Sequence, residues 1–127
     1  MEQLVSAGDM QEERFRSNAA ARERWVQTAL ARAVAITVIQ YRAERGLSQR
    51  DLGKQVGLTR SSVARLELGE HNPTVEMLQR LAQGLGVCFV VAVAPAGRAD
   101  ELELPASMQV LVDVRGADGS RVLAGMS

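Results

Sequence analysis

A chain of 127 residues, 46% hydrophobic and 24% charged, has the length and composition of one ordinary globular domain, which excludes a multidomain enzyme. Only four residues are aromatic (Phe15, Trp25, Tyr41 and Phe89), so Leu, Val, Ile and Ala must build the core, and a base-stacking RNA-binding sheet is disfavoured. The single Cys88 and single His71 exclude a disulfide framework and leave no set of zinc ligands, and the formal net charge of zero hides a basic middle: residues 22–82 are net +4, while residues 1–21 and 83–127 are each net −2.

Taken in chain order, the N-terminus lacks a basic segment leading into an apolar one. No apolar run approaches the ~18 residues of a membrane span, so a cytoplasmic protein with no membrane partner is expected. Residues 10–45 hold neither proline nor glycine. Leu30, Val34, Thr37, Val38 and Tyr41 recur at helical spacing, which predicts helix with any break near Ser17-Asn18. Glu12, Glu13 and Glu23 alternate with Arg14, Arg16, Arg22 and Arg24 as on a solvated, ion-paired helix face. Between Gly46 and Gly86, the punctuation by Gly57, Gly69 and Pro73 cuts the chain into short amphipathic helices. After Gly86 the period changes. Val87 to Ala94 reads as an apolar strand, residues 95–107 as a linker, and residues 108–124 as a β-hairpin turning at Asp118-Gly119, with Leu111 breaking its alternation.

The segment Gln49 to Leu68, QRDLGKQVGLTRSSVARLEL, is the most informative. Ser48 and Asp51 have the spacing of a capping box, Gly53 is small where a crossing helix needs room, Gly57 can take positive φ, and Thr59 can cap the next helix. Leu52, Val56, Val63 and Leu66 give both helices an inward stripe, which leaves Arg60, Ser61, Ser62 and Arg65 outside. Two short helices joined by a sharp turn are a helix-turn-helix pattern.

Residues 30–87 resemble the Xre, or Cro/CI-type, helix-turn-helix family of bacterial regulators: Tyr41 to Arg45, LSQ at 47–49, Glu67-Leu68-Gly69, Pro73-Thr74 and LAQGLGV all match. Gly53 departs from the alanine more often found there. The resemblance implies a mainly α fold, a five-helix lambda-repressor-like domain over 29–86; the residues outside it read as a helical extension at 1–28 and a small β element at 87–127 for dimerisation or partner binding. It implies that Gln49 binds a phosphate, that Arg60, Ser61 and Arg65 face base edges in the major groove of double-stranded DNA, and that Thr59 or Ser62 reaches the backbone. Asn72, in the loop Glu70-His71-Asn72, would lie along the DNA backbone, and Arg42 and Glu67 would form an internal ion pair.

The expected function is sequence-specific operator binding by a repressor-like regulator acting as a homodimer, because one small module makes few contacts. A second reading is a HigA-like antitoxin that binds a cognate toxin and represses its own operon, since two extensions are left unexplained by DNA binding. Catalytic, cofactor and metal residues are all expected to be absent. Nothing pairs a nucleophile with a base, His71 reads as a solvated loop residue, and Cys88 as an inert small hydrophobe.

Overall fold

A computed structural model of the protein describes residues 18–127. The first helix, α1, spans 18–27, and α2 (Ala29–Arg45) follows directly. A break between them falls at Thr28, while the break expected near Ser17-Asn18 lies at the edge of the described residues, with Ser17 outside them. Thr28 Oγ1 donates to the Arg24 carbonyl (2.8 Å), which also accepts from the Thr28 N–H (3.0 Å). The charged alternation at Glu12, Glu13, Arg14 and Arg16, and Phe15, lie outside the described residues.

Three more helices follow: α3 (Gln49–Val56), α4 (Arg60–Glu67) and α5 (Val75–Leu85). Ser48 and Asp51 close the capping box on α3, with Asp51 N–H donating to Ser48 Oγ (3.0 Å) and Ser48 N–H to Asp51 Oδ2 (3.2 Å). Gly57, at φ 74°, ends α3 in the left-handed region and turns the chain, and Leu58 seals the corner against the core. A Cβ on Gly53 would stand 2.5 Å from the Leu58 carbonyl oxygen, so this turn is wound tightly onto its own helix.

The helices share one aliphatic core of Val34, Val38, Leu52, Val56, Val63 and Leu81, with Tyr41, Leu58, Leu66 and Phe89 packed around it. Burial removes about 25 cal/mol of unfavourable hydration per Å² of apolar surface. With so few aromatics, the core depends on close helix approach. Gly84 of α5 supplies it where that helix crosses α3 at Gln55 and Val56.

Beyond Gly86 the chain forms β1 (Phe89–Ala94), a 3₁₀ turn (Ala96–Glu101), β2 (Gln109–Arg115) and β3 (Arg121–Met126). The strands make one antiparallel sheet in the order β1-β3-β2. Leu111 breaks the alternation because the register slips there, a β-bulge between Val110 and Val112. One sheet face lies on α2, where Val112 and Ala124 pack against Ala29.

Three expectations are corrected in this region. The strand begins at Phe89 instead of Val87, and it pairs with β3 of the hairpin in one sheet. Residues 95–107 are no simple linker. The Arg121 guanidinium donates to the Ala99 and Leu102 carbonyls (3.1 and 3.2 Å) and clasps Asp113 (2.8 and 3.1 Å), tying the 3₁₀ turn over fully buried Ala99. Cys88, expected within the strand as an inert small hydrophobe, lies just before it and is exposed. These contacts join residues far apart in the chain, and local periodicity carries no signal of them.

Candidate nucleic-acid interface

The α3–turn–α4 unit fixes which side of α4 meets the core. Val63 is fully buried and Leu66 half-buried, so Arg60, Ser61 and Arg65 stand exposed. Neither arginine forms an ion pair with a described residue. A guanidinium in that state offers its planar fork to an acceptor pair such as the O6 and N7 of guanine. Ser61 and Arg65 are one turn apart, so both can address the same groove.

Thr59 and Ser62 divide their duties. Thr59 Oγ1 accepts from Ser62 N–H (3.1 Å), capping α4, and donates its proton to Ser62 Oγ (2.9 Å). The hydroxyl proton left for an outside acceptor therefore belongs to half-buried Ser62, while Thr59 is occupied by the cap. Gln49 opens α3 and is half-buried. Its Nε2 lies 3.4 Å from Glu67 Oε1, a long bond that a phosphate oxygen could replace.

Arg42 and Glu67 pair as the sequence resemblance implies, in a two-pronged clasp. Arg42 Nε and Nη2 donate to the two Glu67 oxygens (2.7 and 2.6 Å), and Nη1 donates to the Leu47 carbonyl (3.1 Å). The pair ties α2 to the end of α4 with side chains 22% and 9% exposed. The Arg42 hydrogen bonds hold the Glu67 carboxyl below the usual carboxylate range against the opposing effect of its desolvation.

Asn72 has a structural task that the sequence did not show. Its Oδ1 accepts from Ala31 N–H (3.0 Å) and its Nδ2 donates to the Gln27 carbonyl (2.6 Å). Those are the two groups that would bond each other in an unbroken helix, so the Asn72 amide splints the ladder where α1 bends into α2. The exposed amide keeps its second N–H and a second lone pair, so the side chain serves the fold without being used up by it. Sequence reasoning missed this because the partners are 41 and 45 residues away. Asn72→Ala should cost about 1 kcal/mol, the usual net worth of such hydrogen bonds, and should let α1 and α2 straighten. A thermal melt and a spin-label distance between α1 and α4 check both; an unchanged distance would free the bend from Asn72.

Close to this joint, Arg32 lies 3.3 Å above the Trp25 ring and donates to Thr28 Oγ1 (2.6 Å) and to the Trp25 carbonyl (2.5 Å). The sequence shows both residues but not their stacking. Among the described residues, no helix is long and apolar enough to cross a membrane.

A positively tipped recognition helix, held across a capped partner helix by a tight glycine turn, defines a helix-turn-helix DNA-binding domain. The family described as Helix-turn-helix, HTH_3, matches residues 38–88. The chain is 43% identical over 54 residues to an uncharacterized HTH-type transcriptional regulator, y4dJ, of Sinorhizobium fredii (strain NBRC 101917 / NGR234), covering 42% of this chain and 70% of that protein. It is 35% identical over 66 residues to the HTH-type transcriptional regulator SutR of Escherichia coli (strain K12), covering 52% of this chain but only 37% of SutR. An uncharacterized HTH-type transcriptional regulator of Methanothermobacter thermautotrophicus is 38% identical over 47 residues, 37% of this chain and 68% of its own length. This protein belongs to the Xre-type helix-turn-helix family of transcriptional regulators, whose members bind double-stranded DNA and are not enzymes.

Proposed function

We propose that the protein is a repressor-like regulator in the cytoplasm that binds a specific operator as a homodimer. In this reading residues 29–86 are the DNA-binding unit, 1–28 a helical extension and 87–127 the assembly element. The single observation that carries it is the pair Arg60 and Arg65, exposed on α4 with no described ion-pair partner while the opposite side of the helix is locked in the core. Arg60, Ser61 and Arg65 read base edges. Gln49 and Ser62 position the domain on phosphates, helped by the anion-favouring N-terminus of α3, and Asn72 with the amides of its loop follows the backbone.

Selection of binding sites from random duplexes tests the reading. Arg60→Ala should weaken the selected site about tenfold, or about 1.4 kcal/mol, and relax preference at one base pair. Uniformly weaker binding with an unchanged logo would reduce Arg60 to a phosphate contact. No selected sequence at all would overturn the function.

A second reading, an antitoxin that also binds a cognate toxin, draws on α1. That helix carries Trp25, 61% exposed, on a segment the DNA reading does not use. Co-purification of a co-expressed product of the adjacent reading frame, lost in Trp25→Ala, would favour it.

A further inference from the structure

The joint of α1 and α2 lies outside the matched residues 38–88, and it carries a basic surface beside the reading unit. The 69–72 loop packs directly on it. A Cβ on Gly69 would stand 3.4 Å from the Arg32 Cα, and Asn72 bonds the Gln27 carbonyl and the Ala31 N–H. Arg24, Thr28 and Arg32 follow one another at one-turn spacing, in the row next to Gln27 and Ala31. Both arginines therefore flank the loop proposed to follow the DNA backbone.

Arg32 is prepared for an anion. Its guanidinium stacks on the Trp25 ring, 3.3 Å from the ring centre, and donates to Thr28 Oγ1 (2.6 Å) and the Trp25 carbonyl (2.5 Å). Two of the five guanidinium N–H groups are used in this way, and three are left. The ring and the two bonds already hold the side chain, so little freedom remains to be lost when it binds. Among the described residues no carboxylate pairs with Arg24 or Arg32, and desolvation by burial pulls the Arg32 guanidinium below its ordinary value. A half-buried cation without a counter-ion gains from an anion brought beside it.

Two acids border this surface. Glu23 accepts from the Ala117 N–H (3.4 Å) and so lies toward the hairpin, while exposed Glu70 sits in the loop itself. Arg24 and Arg32 together outweigh Glu70.

We propose that Arg24 and Arg32 bind phosphates of the DNA strand that passes the 69–72 loop, extending the contact beyond the helix-turn-helix onto α1. This deepens the DNA-binding reading and rests on it. A phosphodiester strand fits the surface on two counts. The charge is complementary, and the surface is continuous with the recognition helix through Leu68 and Gly69, which follow α4 directly. Arg24 and Arg32 lie two helical turns apart, about 11 Å, so each reaches a different phosphate. Such contacts read no base; they fix the position of the domain on the duplex and add affinity that salt weakens. Trp25 serves as the platform that aims Arg32.

Binding to a mixed-sequence duplex of about 30 base pairs, between about 50 and 200 mM salt, tests the contact without needing an operator. For Arg24→Gln/Arg32→Gln the slope of log affinity against log salt should be shallower than wild type by about 2, or about 0.9 for each phosphate lost. Arg24→Gln alone touches no described side-chain hydrogen bond and should give about half that change, with unchanged far-UV circular dichroism. Arg32→Lys keeps the charge and should keep most of the slope. Arg98→Gln/Arg115→Gln makes the same charge change on the sheet side of the chain and should leave the slope at the wild-type value. Equal slopes for wild type and Arg24→Gln/Arg32→Gln, or an equal fall in the sheet-side pair, would overturn the contact and leave Trp25 to a protein partner. A wild-type protein that binds no duplex at the lowest salt would overturn the DNA-binding reading as well.

Discussion

Glu67→Ala should lower stability by about 3 kcal/mol, at the low end of what breaking a buried ion pair costs, because Arg42 keeps 22% of its side chain in water. The variant leaves Nε and Nη2 of Arg42 unpartnered while Nη1 still reaches the Leu47 carbonyl, so the guanidinium cannot simply swing away. In a domain of this size the melting temperature should fall by more than about 10 °C. The effect should also depend on pH, with a definite sign. The Glu67 carboxyl is held down chiefly by the Arg42 hydrogen bonds, so it binds a proton less readily folded than unfolded. The stabilisation is therefore complete above the ordinary carboxylate value, about 4.3, and is lost as pH falls through the lower folded value. Melting curves of wild type and variant should be well apart at pH 7 and converge on acidification. A constant separation at every pH would remove the carboxylate charge from the account.

Gly84→Ala is expected to destabilise by about 2 kcal/mol, against the local rule. In an exposed helix interior the same change would gain about 1 kcal/mol, because alanine is the better helix former. Here the new Cβ would sit 2.5 Å from Val56 Cγ1, 2.8 Å from Val56 Cα and 3.0 Å from the Gln55 carbonyl oxygen. The Cγ1 contact can be relieved by a rotamer change. The other two are backbone, so α3 and α5 must separate and the core around Leu52 and Leu81 must loosen. Urea unfolding measures the sign directly, and a variant as stable as wild type would show that the helices have room to part. Because α3 carries the turn that aims α4, DNA affinity should fall along with stability.

The helix-turn-helix was legible in the chain because every device that makes it is local. The Ser48–Asp51 box, the left-handed Gly57, the Thr59 cap and the inward Leu52, Val56 and Val63 are each decided by neighbours within about one helical turn. The change of period after Gly86 and the hairpin at Asp118-Gly119 are readable for the same reason. What the sequence determined by itself was therefore the reading unit, its exposed face and the order of the elements. Only the tertiary structure decided the rest: the bend at Thr28 splinted by Asn72, the folding of 95–107 under Arg121, the place of β1 at an open sheet edge beside β3, and the need for Gly84 where α5 crosses α3. Each of these depends on groups brought together from distant parts of the chain, where hydrogen bonding and close packing act through space and leave no period or spacing in the sequence.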